Sequence, residues 1–186
     1  MIRIFDFLIA LIGIIILMPL ILVISLLIYL DTKSPFFFQE RIGKNLKIFT
    51  LIKFRTMTKG TKNCATHLVD SSRITTLGSF LRKTKLDEIP QLWNVLKGEM
   101  SFVGPRPCLP IQSELIQCRK LLNVHRFPPG ITGLAQVKGI DMANPLLLAK
   151  TEQKMISEFN VINYFYFIFI TLIGHGFGDR VKKKRM

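Results

Sequence analysis

Acidic residues are scarce in this chain, with 12 Asp and Glu against 26 Lys and Arg, which gives a formal net charge of +14 over 186 residues. Such an imbalance calls for an anionic partner: nucleic acid, an acidic lipid surface or a phosphorylated substrate. Charge alone does not choose among them. Cysteine is scarcer still. Cys64, Cys108 and Cys118 are odd in number and form no Cys-x-x-Cys pair. This argues against a disulfide framework and a zinc site and fits a reducing, cytosol-facing location. His67, His125 and His175 stand singly without metal-ligand spacing, so they receive no role. Internal repeats and low-complexity tracts are also missing, and a chain of this length holds one ordinary domain plus an anchoring segment.

Charge is absent from one place where its absence has a direct consequence. Between Phe7 and Leu30 no residue is charged, and about 24 residues of helix measure roughly 36 Å, enough to cross a bilayer. The run is too long for an ordinary signal-peptide core, and Asp31-Thr32-Lys33 is not a small-residue cleavage site, so the segment is expected to be retained. Pro19 in its middle removes a backbone donor and predicts a bend between two half-helices. A simple span with the basic remainder cytoplasmic, and a re-entrant hairpin with both ends on the cytoplasmic face, are both compatible with the charges. A second apolar stretch, Val161 to Gly174, is too short to span and rich in aromatic rings. It reads as an interfacial segment, with Lys182, Lys183, Lys184 and Arg185 behind it as a contact for anionic headgroups. The alternative is a buried core helix with a solvated basic tail.

The polar body lies between these stretches. Short β-favouring runs at Phe36–Phe38 and Ile48–Ile52, punctuated by Gly43 and Asn45, predict a small hairpin, and Lys59 to Ser72 reads as a loop. Helical spacing predicts helices over Thr76–Lys83, over Glu88–Leu96 with Gly98 as the stop, and over Pro110–Val124. In "KLDEIPQLWNVLKG", Pro90 is tolerable only in a first turn, which places Asp87 at or near the N-cap. Backbone N–H groups and the helix dipole there favour an ionised carboxylate. An ionised carboxylate with Glu88 beside it suits metal-assisted phosphoryl transfer, one as nucleophile and the other as ligand or base; an ordinary cap is the competing reading.

In "SFVGPRP", Pro105 and Pro107 fix the backbone on both sides of Arg106, whose planar fork matches a pair of phosphate oxygens. Gly130, Gly133 and Gly139 are compatible with a backbone approaching a ligand, and equally with turns. Lys53 and Arg55 of "KFRTM" alternate on one side of a strand, as site cations or as a solvated basic face.

Taken in order, these motifs resemble the bacterial sugar transferase family, the small monotopic phosphoglycosyl transferases. The likeness rests on "RIFDF" at Arg3–Phe7, "FFFQERIGKN" at Phe36–Asn45, "KFRTM" at Lys53–Met57, "RITTLGSFLRKTKLDEIPQLWNVLKGEMSFVGPRP" at Arg73–Pro107 and "PGITGLAQVKG" at Pro129–Gly139. The resemblance implies transfer of a sugar-1-phosphate from a UDP-sugar to polyprenol (undecaprenyl) phosphate, with release of UMP and Mg²⁺ as cofactor, a first membrane step of glycoconjugate synthesis. Position by position, it implies Asp87 as the nucleophile that forms a phosphosugar-aspartate intermediate, and Glu88 as its partner. Both would be Mg²⁺ ligands, with Lys53, Arg82, Arg106 and Pro107 at the substrate phosphates.

It further implies an α+β, helix-dominated monotopic membrane protein on the cytoplasmic face of the bacterial inner membrane. A re-entrant helix-break-helix hairpin over residues 1–32, turning near Pro19, precedes a cytosol-facing catalytic domain over residues 33–186 with interfacial amphipathic helices and a small β-hairpin. The expected partners are a UDP-sugar, polyprenol phosphate and anionic headgroups, not nucleic acid. The family commonly carries arginine where this chain has Pro128, "QVNGR" where it reads Gln136 to Ile140, and an acid near Tyr164. A catalytically inactive relative acting as a membrane partner protein is the alternative raised by Pro128 and Ile140.

Overall fold

The apolar run folds as one helix, α1 (Ile2–Thr32), which continues through Pro19. The expected half-helices are therefore not separate elements, and any turn imposed by the proline is a bend inside a continuous helix, since one proline removes only one hydrogen bond of the ladder. The computed structural model describes residues 2–60 and 73–173. After α1 come β1 (Phe36–Ile42), β2 (Ile48–Phe54), α2 (Thr76–Thr84), α3 (Gln91–Lys97), β3 (Ser101–Val103), α4 (Ser113–Leu121), β4 (Gly130–Thr132), α5 (Leu134–Val137), α6 (Pro145–Ser157) and α7 (Val161–Leu172). The expected helix-dominated α+β class is what forms.

One stripe of α1 faces the rest of the protein. Asp6, Ala10, Ile24 and Ile28 are buried, whereas Ile15, Ile16, Leu22, Val23, Leu26 and Leu30 are all more than half exposed. The most apolar 18-residue window has a mean hydropathy of 3.3 and is only 11% buried. A core helix would hide such a surface; this one is long and apolar enough to cross a membrane and leaves that surface outside the fold.

The N-terminal end of α1 is fastened by polar bonds. Arg3 donates to the carbonyls of Val95 (2.5 Å) and Leu96 (2.7 Å) in the last turn of α3, where a cation also meets the negative end of the helix dipole. One carboxylate oxygen of Asp6 accepts from Ser101 Oγ (2.9 Å), Phe102 N (3.0 Å) and Tyr164 Oη (2.9 Å). A carboxylate buried in an apolar helix is tolerable only with such partners.

The predicted hairpin forms and is longer than the β-favouring runs alone: β1 and β2 pair antiparallel from Phe36↔Phe54 to Ile42↔Ile48. It turns through Gly43 and a 3₁₀ turn in which Asn45 takes φ 54°. Strands β3 and β4 pair in parallel at Ser101↔Gly130 and Val103↔Thr132. Three-residue strands carry too little alternation to be predicted. Helix α2 matches its prediction, and α3 stops at Gly98 (φ 87°) as expected but starts at Gln91 rather than Glu88. The helix expected over Pro110–Val124 is shorter, with a separate 3₁₀ turn at Val124–Arg126.

Helix α7 buries one side of its segment against the body and leaves the other outside. Tyr164 and Phe167 are buried, while Ile162, Tyr166, Phe169 and Leu172 are more than half exposed, so an aromatic stripe remains on the outside. The loop residues 61–72, with Cys64 and His67, and Gly174 onward, with His175 and the basic Lys182 to Arg185, lie outside the described residues.

Candidate active site

The site is built on the exit from α2. Thr75 caps that helix by accepting from Gly78 N (2.9 Å), and the helix stops where Lys85 adopts a left-handed φ of 59°. The reversal sends the chain into a 3₁₀ turn, Leu86–Glu88, and then through Ile89 and Pro90 into α3. Asp87 therefore does not cap α3 as predicted, because Pro90 occupies the position before its first residue. The same turn presses Leu86 and Ile89 against Phe54, Leu81 and three residues of α1, Ile21, Ile24 and Ile28. The two acidic residues thus sit on a turn whose flanking apolar side chains share a cluster with α1.

Asp87 is only 5% exposed. Beside it, Glu88 Oε1 lies 2.9 Å from Lys53 Nζ and 4.0 Å from Arg106 Nη2. The shorter contact is a charge-assisted hydrogen bond between two side chains that are mostly withdrawn from water. Lys53 reaches it from the end of β2, opposite Phe37. Arg55 goes elsewhere: it donates to the carbonyls of Ser34 (3.1 Å) and Phe36 (3.2 Å) and lies over the Phe37 ring. The solvated basic face is thus not what forms, because one cation is consumed by the site and the other braces the hairpin.

Arg82, in the last turn of α2, donates from Nε to Thr56 Oγ1 at 2.8 Å. Its buried Nη1 has no partner among the described residues, and a buried donor of that kind is costly unless something accepts from it. Pro107 is buried, with its carbonyl accepting from Arg41 Nη1 at 3.0 Å. The structure thus gathers Lys53, Glu88 and Arg106, sets Asp87 beside them, and places Arg82 one turn upstream.

Asn94 is a positioning residue that sequence reasoning missed. It is fully buried in α3, where its Oδ1 accepts from Ile52 N (3.1 Å) and its Nδ2 donates to Thr50 O and Glu99 Oε2 (2.7 Å each). These bonds fix α3 against β2 and so help hold Glu88 against Lys53. No spacing rule marks such an asparagine; the only available signal is a polar residue on the apolar side of a short helix.

Gly130 and Gly133 serve close packing of the chain against Gly104. A Cβ on Gly130 would lie 2.0 Å from Gly104 N, so the close approach is of the chain to itself. Ile140, where the family commonly has arginine, packs on the apolar cluster of Cys108, Leu115, Ala135 and Leu148. Tyr164 stands where an acid was expected and serves as a donor to Asp6. Burial pushes the Cys108 thiol above its usual range, which fits a packing role.

Among the described residues no group of three or more Asp, Glu, His and Cys gathers. Two adjacent carboxylates nevertheless suit Mg²⁺, which takes one or two carboxylates and completes its shell with water and substrate phosphate oxygens.

An exposed apolar helix packed near a turn with two adjacent carboxylates and several cations fits a membrane-associated protein that meets anionic groups. Comparison with known proteins narrows this: a family model described as bacterial sugar transferase matches residues 1–174. The chain belongs to the bacterial sugar transferase family. A Bacillus subtilis (strain 168) protein provisionally named an undecaprenyl-phosphate N-acetylgalactosaminyl 1-phosphate transferase is 44% identical over 118 residues, covering 62% of this chain and 66% of that protein. An exopolysaccharide production protein of Sinorhizobium fredii (strain NBRC 101917 / NGR234) is 41% identical over 155 residues, covering 74% of this chain and 68% of its own. The undecaprenyl-phosphate glucose phosphotransferase of Komagataeibacter xylinus is 38% identical over 146 residues, covering 74% and 27%. The chain thus spans about two thirds of the first two relatives and about a quarter of the third.

Proposed function

We propose that the protein transfers a sugar-1-phosphate from a UDP-sugar to polyprenol phosphate by two displacements. The Asp87 carboxylate attacks the sugar-bearing phosphorus, the bond to the bridging oxygen breaks, and UMP leaves. A phosphate oxygen of the polyprenol then attacks the same phosphorus, and the bond to Asp87 breaks, restoring the carboxylate.

In this reading Lys53 and Arg106, both beside Glu88, offset negative charge on the transferring phosphoryl group, and the buried N–H of Arg82 is a donor for a phosphate oxygen. Glu88, held by Lys53, is the partner of Asp87, as metal ligand or base. Mg²⁺ bound with Asp87 or Glu88 would neutralise diphosphate charge.

The observation that carries this reading is the position of the Asp87-Glu88 turn, with Glu88 2.9 Å from Lys53, on the same apolar cluster as α1. An acceptor whose tail is buried in lipid presents its phosphate at that level. The names of the relatives supply undecaprenyl phosphate as the acceptor class.

The test is UMP release by the detergent-solubilised protein with a panel of UDP-sugars, with and without polyprenol phosphate and Mg²⁺. Release from one or a few donors, abolished by chelation, is the expected result. A folded protein that releases no UMP across a broad panel would leave the inactive-partner reading in its place.

We further propose that α1 is re-entrant, bending at Pro19 so that both ends lie on the cytoplasmic face. The support is that both ends dock on one body, Arg3 on the end of α3 and Ile24 and Ile28 on the turn that leads into it. Single cysteines placed at Ile2 and Lys33 should both react with an impermeant reagent from the cytoplasmic side only. Labelling of the first from the opposite side would establish a simple span instead.

A further inference from the structure

The backbone that carries Arg106 is held at every carbonyl. Five successive carbonyls accept from five donors: Gly104 from Gln136 Nε2 (3.2 Å), Pro105 from Gly130 N (2.8 Å), Arg106 from Arg119 Nη2 (2.8 Å), Pro107 from Arg41 Nη1 (3.0 Å) and Cys108 from Ile42 N (2.9 Å). Connecting segments ordinarily leave many such groups to water. The prolines on either side add fixed φ angles.

Two of these donors are guanidiniums, and the one on Arg106 differs from Arg41 on Pro107 in being buried and oriented by a buried carboxylate. Arg119 of α4 is 6% exposed and Glu152 of α6 is 1% exposed. Nε of Arg119 meets Glu152 Oε2 at 2.8 Å, and Nη2 meets Oε1 at 2.5 Å while also bonding the Arg106 carbonyl. Both N–H groups of Nη2 thus have acceptors, one on Glu152 and one on the loop. A buried ion pair is weak evidence of a gain in stability, since desolvation offsets much of the attraction and apolar replacements often do as well. Its geometry here points to orientation: the carboxylate sets the plane of the fork, the fork meets the Arg106 carbonyl and the Cys108 sulfur, and the same carboxylate also bonds the Arg106 backbone.

We infer that Arg119, oriented by Glu152, is a positioning residue that fixes the Arg106 backbone and thereby the guanidinium facing Glu88. This deepens the proposed function and rests on it insofar as Arg106 handles a substrate phosphate. Neither Arg119 nor Glu152 touches the carboxylate pair, so their effect on the reaction passes through Arg106.

The prediction is specific because lysine can keep the charge at position 119 but cannot present two N–H groups from one planar nitrogen. Arg119→Lys, Arg106→Ala and the double variant are compared by kcat/KM for UMP release and by backbone hydrogen exchange. Arg119→Lys should lower kcat/KM by about tenfold in the native background and by less than about twofold when Arg106 is already alanine, the non-additivity of residues that act through one another. Exchange at the Gly104, Arg106 and Cys108 amides should rise about tenfold, with the β1–β2 hairpin at its native rate. Leu115→Ala, a core change on the same helix, supplies the structural comparison, and its effect should be the same with and without Arg106. If Arg119→Lys does not fold, Glu152→Gln, which keeps the shape and removes the orienting charge, should give the same pattern. Effects that multiply in the double variant, or exchange raised equally across the chain, would overturn the inference. Absence of UMP release by the native protein would instead overturn the proposed reaction, while the exchange measurement would still decide whether Arg119 fixes the loop.

Discussion

Asp87→Asn is expected to reduce UMP release by at least about a thousandfold while leaving the protein folded. The amide matches the carboxylate in shape but is not a nucleophile toward phosphorus, and losing the attacking group of a covalent mechanism commonly costs 10⁴-fold or more. Asp87 is 5% exposed and lies in the 3₁₀ turn, and the amide keeps its size and its capacity to accept a hydrogen bond there. The thermal midpoint in detergent should therefore change far less than the rate. A second readout separates attack from mere charge: acid-quenched native protein incubated with a labelled UDP-sugar should retain label, and Asp87→Asn should retain none. Undiminished turnover in the variant would remove Asp87 as the nucleophile, whatever the fate of the family assignment.

The largest loss of stability is expected from Gly130→Ala. A Cβ there would stand 2.0 Å from Gly104 N, 2.6 Å from Gly104 Cα and 2.7 Å from Thr132 O, all of them backbone atoms. No side-chain rotation relieves such a clash, so β4 must part from β3 and the bond from Gly130 N to the Pro105 carbonyl is lost. The cost should exceed about 4 kcal/mol, the range reserved for severe overpacking and broken networks, and is to be read as loss of folded protein on expression and of the cooperative thermal transition. Gly13→Ala is the control. Its Cβ would meet only the Leu92 Cδ1 methyl at 3.3 Å, at the end of a flexible side chain. Because alanine also favours helix over glycine, that variant should stay within about 1 kcal/mol of the native protein. Equal stability of the two variants would refute the packing described for β3 and β4.

Much of this arrangement was legible in the sequence, for identifiable reasons. The hairpin was marked by β-favouring runs around Gly43 and Asn45, and α2 and the end of α3 by apolar spacing and a terminal glycine. The ordered motifs singled out Lys53, Arg82, Asp87, Glu88, Arg106 and Pro107, of which Lys53, Glu88 and Arg106 meet in space. Other features could not be read because they depend on contacts between distant residues. The Asp6 contacts join residues 95, 96 and 158 positions apart. The same is true of Asn94, whose bonds reach 42 and 44 positions back to β2. Asp87, read as at or near the cap of α3, lies three residues ahead of it, because the left-handed Lys85 inserts a turn that no common turn signal announces: lysine at positive φ is rare.

The contacts of α1 bear on what kind of part this helix is. A generic anchor needs only enough hydrophobic length, and any greasy segment of the same size can replace it. Here Arg3 holds the end of α3, Asp6 holds β3 and α7, and Ile24 and Ile28 support the turn that bears Asp87. A chimera carrying a foreign anchor of equal hydropathy would keep the apolar surface yet lack a wall of the scaffold that bears Asp87. Anchor and architecture are encoded in one stretch of sequence, and they cannot be exchanged separately.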